Sequence, residues 1–227
     1  MPLTLNSRPV WTQLSRLHER ARVEDAEALA RVQTREQVTG RRLTPVERYQ
    51  LYGDAPLAIT PEVGQLLYVL TLAHRPTRVV EFGSSLGVST IYLAAALADN
   101  GLGGSLITTE QMPEKAAAAL RHVGDAGLGE LVEMRVGDAR ETLLQVADRV
   151  DMVFLDGRND LYLAVLHLLE PNLAPQALVI ADLSRDDPAL ADFTAYVRAP
   201  GNGYASVTVP LGHGVEVSVR RQEGLSG

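Results

Sequence analysis

The sequence predicts an α/β protein with a doubly wound, mostly parallel sheet, an antiparallel C-terminal hairpin and helices ahead of it. Three observations predict this. From Ile59 onward, short runs of β-branched residues alternate with helical patterns of roughly ten to fifteen residues, the texture of βαβ units whose strands are covered on both faces. The stretch "YASVTVPLGHGVEVSVRR" breaks that alternation, because two period-two strands are joined there through Pro210, Gly212 and Gly214 and read as a hairpin. Residues 11–37 are rich in Ala, Leu, Glu and Arg with apolar positions at Leu14, Leu17, Ala21, Leu29 and Val32, the pattern of a charged amphipathic helix or helix pair.

Composition bounds the partners. The 227 residues suit one domain, and 46% hydrophobic with 22% charged residues is the balance of a soluble chain that buries a core. With 28 acidic against 21 basic residues the formal charge is −7, so nucleic acid and anionic membrane are excluded as main partners. The absence of cysteine removes disulfides, thiolate metal sites and a cysteine nucleophile, and fits a cytoplasmic protein. There is no leader pattern and no run of about eighteen apolar residues, so the chain is expected to be soluble and unprocessed. Texture changes near residue 55. Residues 1–55 read as a helical cap, a dimerisation element or a substrate lid, and residues 56–221 as the main domain.

The elements follow in order. "TGRRLTPVERYQLYGDAP" is a punctuated loop with one short helix. "TPEVGQLLYVLTLAH" is a helix with Thr60 as N-cap and Pro61 and Glu62 in its first turn. Then strands "RVVEFG", "GSLITTE", "VEMRVGD", "VDMVFLD" and "ALVIAD" are separated by helices "VSTIYLAAALAD", "MPEKAAAALRHVGDAG", "ARETLLQVA" and "DLYLAVLHLLEPNL", and "DPALADFTAYVRA" is helical before the hairpin.

In such sheets ligands bind beyond the carboxyl ends of the strands, at the point where strand order reverses. The stretch "RVVEFGSSLGVST" puts Glu81 and then Gly83 and Gly87 there. A phosphate loop needs a wider glycine spacing and a lysine, and the dinucleotide loop needs a glycine where Ser85 stands. A carboxylate with no lysine suits a ligand with a cationic or amino-acid-like portion, to which Ser84, Ser85 and Ser89 offer hydroxyls. Glu110, ending the second strand just before Gln111, is placed to accept ribose hydroxyls, and Asp138 with Ala139 ends the third strand where an adenine amine is read. Glu110 and Asp138 also suit helix N-caps or first-turn charges.

That ordered set resembles the class I S-adenosylmethionine-dependent O-methyltransferases, in particular the small catechol and caffeoyl-CoA type, over roughly residues 59–220. The matching stretches are "TPEVGQLL", "VVEFGSSLGVST", "TTE", "VGDARETL", "VFLDGRNDLYL", "LLEPNLAPQALVIAD" and "VTVPLGHGVEVSVR". The resemblance implies a Rossmann-like sheet of seven strands with a reversed last strand. It implies S-adenosyl-L-methionine as cofactor, its amino-acid end on the loop from Glu81 and Gly83 to Ser85 and Ser89 and near Asp156, its ribose on Glu110 and Gln111, its adenine near Asp138 and Ala139. It implies methyl transfer to a small hydroxylated acceptor, with Asp156, Asn159 and Asp182 at the catalytic positions, and a homodimer.

In that family a divalent cation, usually Mg2+, is held by an Asp ending the fourth strand and an Asp-Asn pair ending the fifth, with a lysine base three residues after the first Asp. Asp156 and Asp182 match the aspartates as metal candidates. Leu183 stands at the Asn position and Asn159 at the lysine position, beside Arg158. Leucine cannot ligate a hard cation and an amide is no base at neutral pH, so metal binding is expected to be weak or absent unless Ser184, Asp186 or Asp187 substitutes. His213 reads as a turn residue, and His18, His74, His122 and His167 show no ligand spacing. Trp11, Tyr49 and Tyr52 suit either an aromatic acceptor pocket or edge packing. Two further classes stay in view: a cofactor-binding module with altered or lost chemistry, and a nicotinamide oxidoreductase, which the missing glycine disfavours.

Overall fold

The computed structural model describes residues 3–146, 149–183 and 187–221. Among them seven strands form one sheet: β1 (Arg78–Phe82), β2 (Ser105–Glu110), β3 (Val132–Val136), β4 (Val150–Leu155), β5 (Leu173–Asp182), β6 (Tyr204–Val209) and β7 (Val215–Arg220), in the order β3-β2-β1-β4-β5-β7-β6. The first five run parallel, and β7 lies antiparallel between β5 and β6. Strand order reverses between β1 and β4, so the ligand-binding crevice of this fold lies above those two strands.

The helices are α1 (Arg8–Thr39), α2 (Pro45–Tyr52), α3 (Pro61–His74), α4 (Val88–Asn100), α5 (Pro113–Asp125), α6 (Ala139–Thr142), α7 (Tyr162–Leu169) and α8 (Ala191–Arg198). Side-chain alternation on the strands divides the core in two. On one face Val79, Leu106, Met152, Phe154 and Ile180 pack with α3, α4 and the start of α1, which contributes Val10, Leu14 and Leu17. On the other, Val80, Ile107, Val153, Leu155 and Val179 pack with α7 and α8. All six residues of β4 are buried, as a central strand covered on both faces requires. Truncating Phe154 there is expected to cost about 3–5 kcal/mol.

Several expectations shift. Residues 8–39 form one continuous helix, which settles the choice between a helix and a helix pair. The helix expected over "ARETLLQVA" is only four residues, because Arg135 takes the carbonyls of Thr142 at 2.8 Å and Gln145 at 3.3 Å out of helical pairing. The helix expected to run through Leu173 stops at Leu169, a single 3-10 turn carries Pro171, and β5 starts at Leu173. Between Val150 and Met152 on β4 the partner on β5 advances from Leu173 to Leu178, a bulge that absorbs Pro175 and the left-handed Gln176 at φ +63°. Within the described residues no helix is long and apolar enough to cross a membrane.

Candidate functional site

Gly83 ends β1 with φ +96°, and a Cβ there would lie 2.6 Å from the Asp156 carbonyl and 2.7 Å from the Gly157 backbone. Glycine therefore lets the tops of β1 and β4 approach, and the Asp156 N–H donates to the Phe82 carbonyl at 2.8 Å across the gap. Gly157 is constrained in the same way, since its Cβ would meet the Phe82 ring at 2.5 Å. The loop is fixed by steric necessity, not by ligand.

Glu81 is fully buried beneath it. Its Oε2 accepts from Thr108 at 2.5 Å and Thr90 at 2.6 Å, and the Ser89 hydroxyl also bonds the carboxyl. Burial raises its pKa, those hydroxyls oppose the rise, and the charge of Glu110 adds to it. Its Oε1 is buried with no hydrogen-bond partner among the described residues. An orphaned carboxylate oxygen below a glycine loop is a vacancy in bonding that an ammonium-bearing ligand satisfies.

Ser85 is left-handed, with φ +44°. Its N–H donates to Glu110 Oε2 at 3.0 Å, and its hydroxyl turns away to the Pro56 carbonyl at 2.6 Å. The hydroxyls of Ser85 and Ser89, expected to face a ligand, are thus both engaged by protein. Glu110 Oε1 accepts from the Met112 N–H at 2.8 Å and the Tyr49 hydroxyl at 3.2 Å. Burial, then the Glu110 charge, raises the Tyr49 pKa, so Tyr49 is a neutral donor.

A cavity of about 50 Å³ opens above these groups, lined by Gly83, Glu110, Gln111, Asp138, Ala139 and Arg158, with Tyr49 across it. Asp138 caps α6 through the Arg140 N–H at 2.9 Å and pairs with the Arg140 guanidinium at 2.6 Å, so the helix-cap reading of Asp138 is realised. The Arg140 hydrogen bond holds its pKa low. Arg158 is held over the cavity by Asp160 at 2.8 Å.

Asp156 and Asp182 sit at the tops of adjacent strands, both half-buried. Neither carboxyl accepts a hydrogen bond from any described residue, and only the Asp182 backbone carbonyl is used, by the Tyr162 hydroxyl at 2.9 Å. Burial raises both: Asp156 stands well above the usual carboxylate range with the charges of Asp182 and Glu81 adding, and Asp182 is pushed up to about 7. Burial and mutual repulsion thus oppose full ionisation of the pair.

The neighbouring positions do not supply a cation site. Asn159 Nδ2 donates to Asp187 at 2.8 Å, and Asp187 also takes Arg48 at 3.1 Å and the Ala189 N–H at 3.1 Å, tying α2 to the loops after β4 and β5. Asp187 is thereby engaged away from any ion. The Leu183 N–H donates to the Gly214 carbonyl at 2.8 Å, and its side chain packs on the core. Ser184 and Asp186 lie outside the described residues. Among the described residues no three His, Cys, Asp or Glu side chains are grouped to hold a metal. Among the described residues the positions offer Mg2+ two carboxylates and no third protein ligand, since Leu183 stands where the family has Asn.

The histidines are structural: His18 meets the Tyr92 hydroxyl at 3.2 Å, His74 the Asp151 carbonyl, His122 the Leu86 carbonyl at 2.9 Å, and His167 stacks edge-on against Tyr196. His213 is exposed in its turn. Trp11 is 64% exposed on α1, away from the cleft, whereas Tyr49 lines it. Sequence reasoning missed Lys115, buried five residues after Glu110, and the Arg48–Asp187 pair. A lone lysine opening the alanine run "EKAAAAL" was the available signal for the first; residues 139 apart gave none for the second.

A family model described as a methyltransferase domain matches residues 80–182. The catechol O-methyltransferase of Niastella koreensis is 31% identical over 178 residues, covering 76% of this chain and 79% of that one. The O-methyltransferase TomG of Streptomyces achromogenes, involved in tomaymycin synthesis and solved with SAM, superposes with a TM-score of 0.66 at 25% identity over 74% of this chain and 84% of that one. An O-methyltransferase of Bacillus cereus solved with SAH shares the fold, with a TM-score of 0.67 at 22% identity over 85% and 97% of the two chains.

Proposed function

Because this chain belongs to the S-adenosylmethionine-dependent O-methyltransferases of the catechol type, we propose that it methylates a small hydroxylated, aromatic acceptor without a resident metal. The observation that carries the reading is the partnerless carboxyl pair Asp156 and Asp182 beside the glycine loop. S-adenosylmethionine supplies a methyl group on a cationic sulfur. This chain's residues hold and orient. Glu110 and Gln111 take the ribose, the backbone from Gly83 to Ser85 and the free oxygen of Glu81 take the amino-acid end with Asp156, Ser89 serving through its bond to Glu81, and Asp138 with Ala139 borders the adenine.

The acceptor hydroxyl needs two things from the protein: alignment with the methyl group and a destination for its proton. Asp182, titrating near neutrality, has the proton affinity for the second. Asn159 acts at one remove, by holding the loop after β4 to Asp187. Supporting this division is chemistry: carboxyls whose lone pairs the protein leaves free are available to a substrate hydroxyl.

Incubating the protein and S-adenosylmethionine with a panel of phenols and catechols, followed by mass spectrometry, tests the reading. Gain of one methyl group on an oxygen is expected. Cofactor binding with no methylated product from any phenol would favour a binding module instead.

Residues 1–55 are proposed as a cap and 56–221 as the catalytic domain. Four of the five apolar positions anticipated on α1, Leu14, Leu17, Ala21 and Val32, are buried within the chain, while Leu29 stays 45% exposed. That residue of uncovered surface supports a homodimer. Light scattering at micromolar concentration should give twice the mass of one 24.5 kDa chain; a single-chain mass overturns the dimer. A cytoplasmic location, supported by the lack of cysteine, is open to cell fractionation.

A further inference from the structure

Lys115 is the one lysine of the sequence, and it is 4% exposed. It stands in the first turn of α5, and its Nζ donates to the Ala55 carbonyl at 2.7 Å and to the Ser85 hydroxyl at 3.4 Å. Ser85 in turn donates its hydroxyl to Pro56 and its N–H to Glu110. One ammonium thus fastens the strap after α2 to the left-handed residue of the glycine loop, whose N–H orients the Glu110 carboxylate. From the other side Asp25 of α1 accepts the N–H groups of Leu57 at 2.7 Å and Ala58 at 3.0 Å. Leu57 and Ser85 both have positive φ, 47° and 44°, and both are pinned by these bonds.

We infer that Lys115 is a positioning residue for the cofactor: acting through Ser85 and the 55–58 strap, it sets the orientation of Glu110 and of the glycine loop. The inference rests on the cofactor reading above. The charged groups facing it are Glu110 at the end of β2, Asp54 in the strap, and Asp25 and Arg20 on α1. Burial lowers its pKa, and the three carboxylates counter that fall. A buried ammonium is costly to fold, and a methionine of similar length fills the same space without that cost. The lysine's contribution therefore lies in the two groups it joins, the Ala55 carbonyl and the Ser85 hydroxyl, not in packing.

The variants Lys115→Met and Ser85→Ala test this with calorimetry against S-adenosylhomocysteine, thermal melting and steady-state kinetics. Lys115→Met is expected to melt at or above the wild-type temperature and to bind S-adenosylhomocysteine roughly tenfold more weakly. It should raise the KM for S-adenosylmethionine by a similar factor, with kcat at saturating cofactor and the acceptor KM little changed. Ser85→Ala keeps the N–H to Glu110 but loses the hydroxyl, and is expected to shift the same two cofactor constants in the same direction. Should Lys115→Met not fold, an unchanged cofactor affinity in Ser85→Ala overturns the inference. A folded Lys115→Met that binds as wild type does overturns it as well, while leaving the cofactor reading intact. Wild-type protein that fails to bind S-adenosylhomocysteine defeats the cofactor reading and this inference with it.

Discussion

At the tops of β1 and β2 the acidic side chains are held by the protein: Glu110 accepts from Ser85, Met112 and Tyr49, and Glu81 from three hydroxyls, which leaves only its buried Oε1 without a partner among the described residues. At the tops of β4 and β5, Asp156 and Asp182 accept nothing from the described residues, and their protonation is displaced toward neutrality instead. The first half is a rigid receptor whose shape is set before any ligand arrives. In the second, the bonding capacity is left for a substrate to complete. On the proposed assignment of the two halves, the cofactor end is kept while the acceptor end is rewritten at Leu183 and Asn159.

The sharpest break of this contrast is Gly83→Ala. The added carbon meets the backbone of Asp156 and Gly157 and the φ is unfavourable, so roughly 2–5 kcal/mol of stability should be lost, measured by urea unfolding, along with cofactor binding. If the variant melts and binds as wild type does, the cofactor end is less rigid than described. Next comes Glu110→Ala, which removes charge-assisted bonds of about 1.5–3 kcal/mol each. S-adenosylhomocysteine should bind at least about tenfold more weakly by calorimetry, and unchanged affinity would place the ribose elsewhere.

Asp182→Asn probes the other half. Its folded pKa is raised, to about 7 from 3.8, so the folded state binds the extra proton between those values and wild-type stability declines as pH rises through that window. The neutral amide avoids the decline. After discounting for the partial exposure of Asp182, the variant should exceed wild type by about 1–2 kcal/mol at pH 8 and by less at pH 5. Equal pH dependence in both proteins would show that Asp182 is not the group held near neutrality. The smallest effect is expected from chelation: EDTA followed by added Mg2+ should change turnover less than about threefold, because the described donor set lacks a third ligand. Activity abolished by EDTA and restored by the ion would restore the family's metal to this site.

How much was legible follows from range. The strand ends, the glycine loop and the N-caps at Thr60 and Asp138 announce themselves within a few residues, because sterics and local hydrogen bonding decide them. The extent of α6 was not legible, since a guanidinium on β3 ends it, nor was the start of β5, which depends on a bulge against β4. In the site, Glu110 was readable by position. The turning of the Ser85 hydroxyl to Pro56, and the capture of Asn159 by an Asp187 that Arg48 anchors, arise from contacts 28 to 139 residues apart. No local pattern encodes those.

The sheet order carries one more consequence, for synthesis. β7, the last of the described strands in chain order, does not lie at the sheet's rim but between β5 and β6, which emerge earlier. Every strand of the cofactor end can pair while the chain is still growing, whereas the edge of β5 that ends in Asp182 stays open until residues 215–220 arrive. A nascent chain stalled before that point would present two unpaired edges, from β5 and β6, to its neighbours on the same messenger. Among the described strands, the β5 edge that ends in Asp182 is therefore completed last and stays open to mispairing longest during translation.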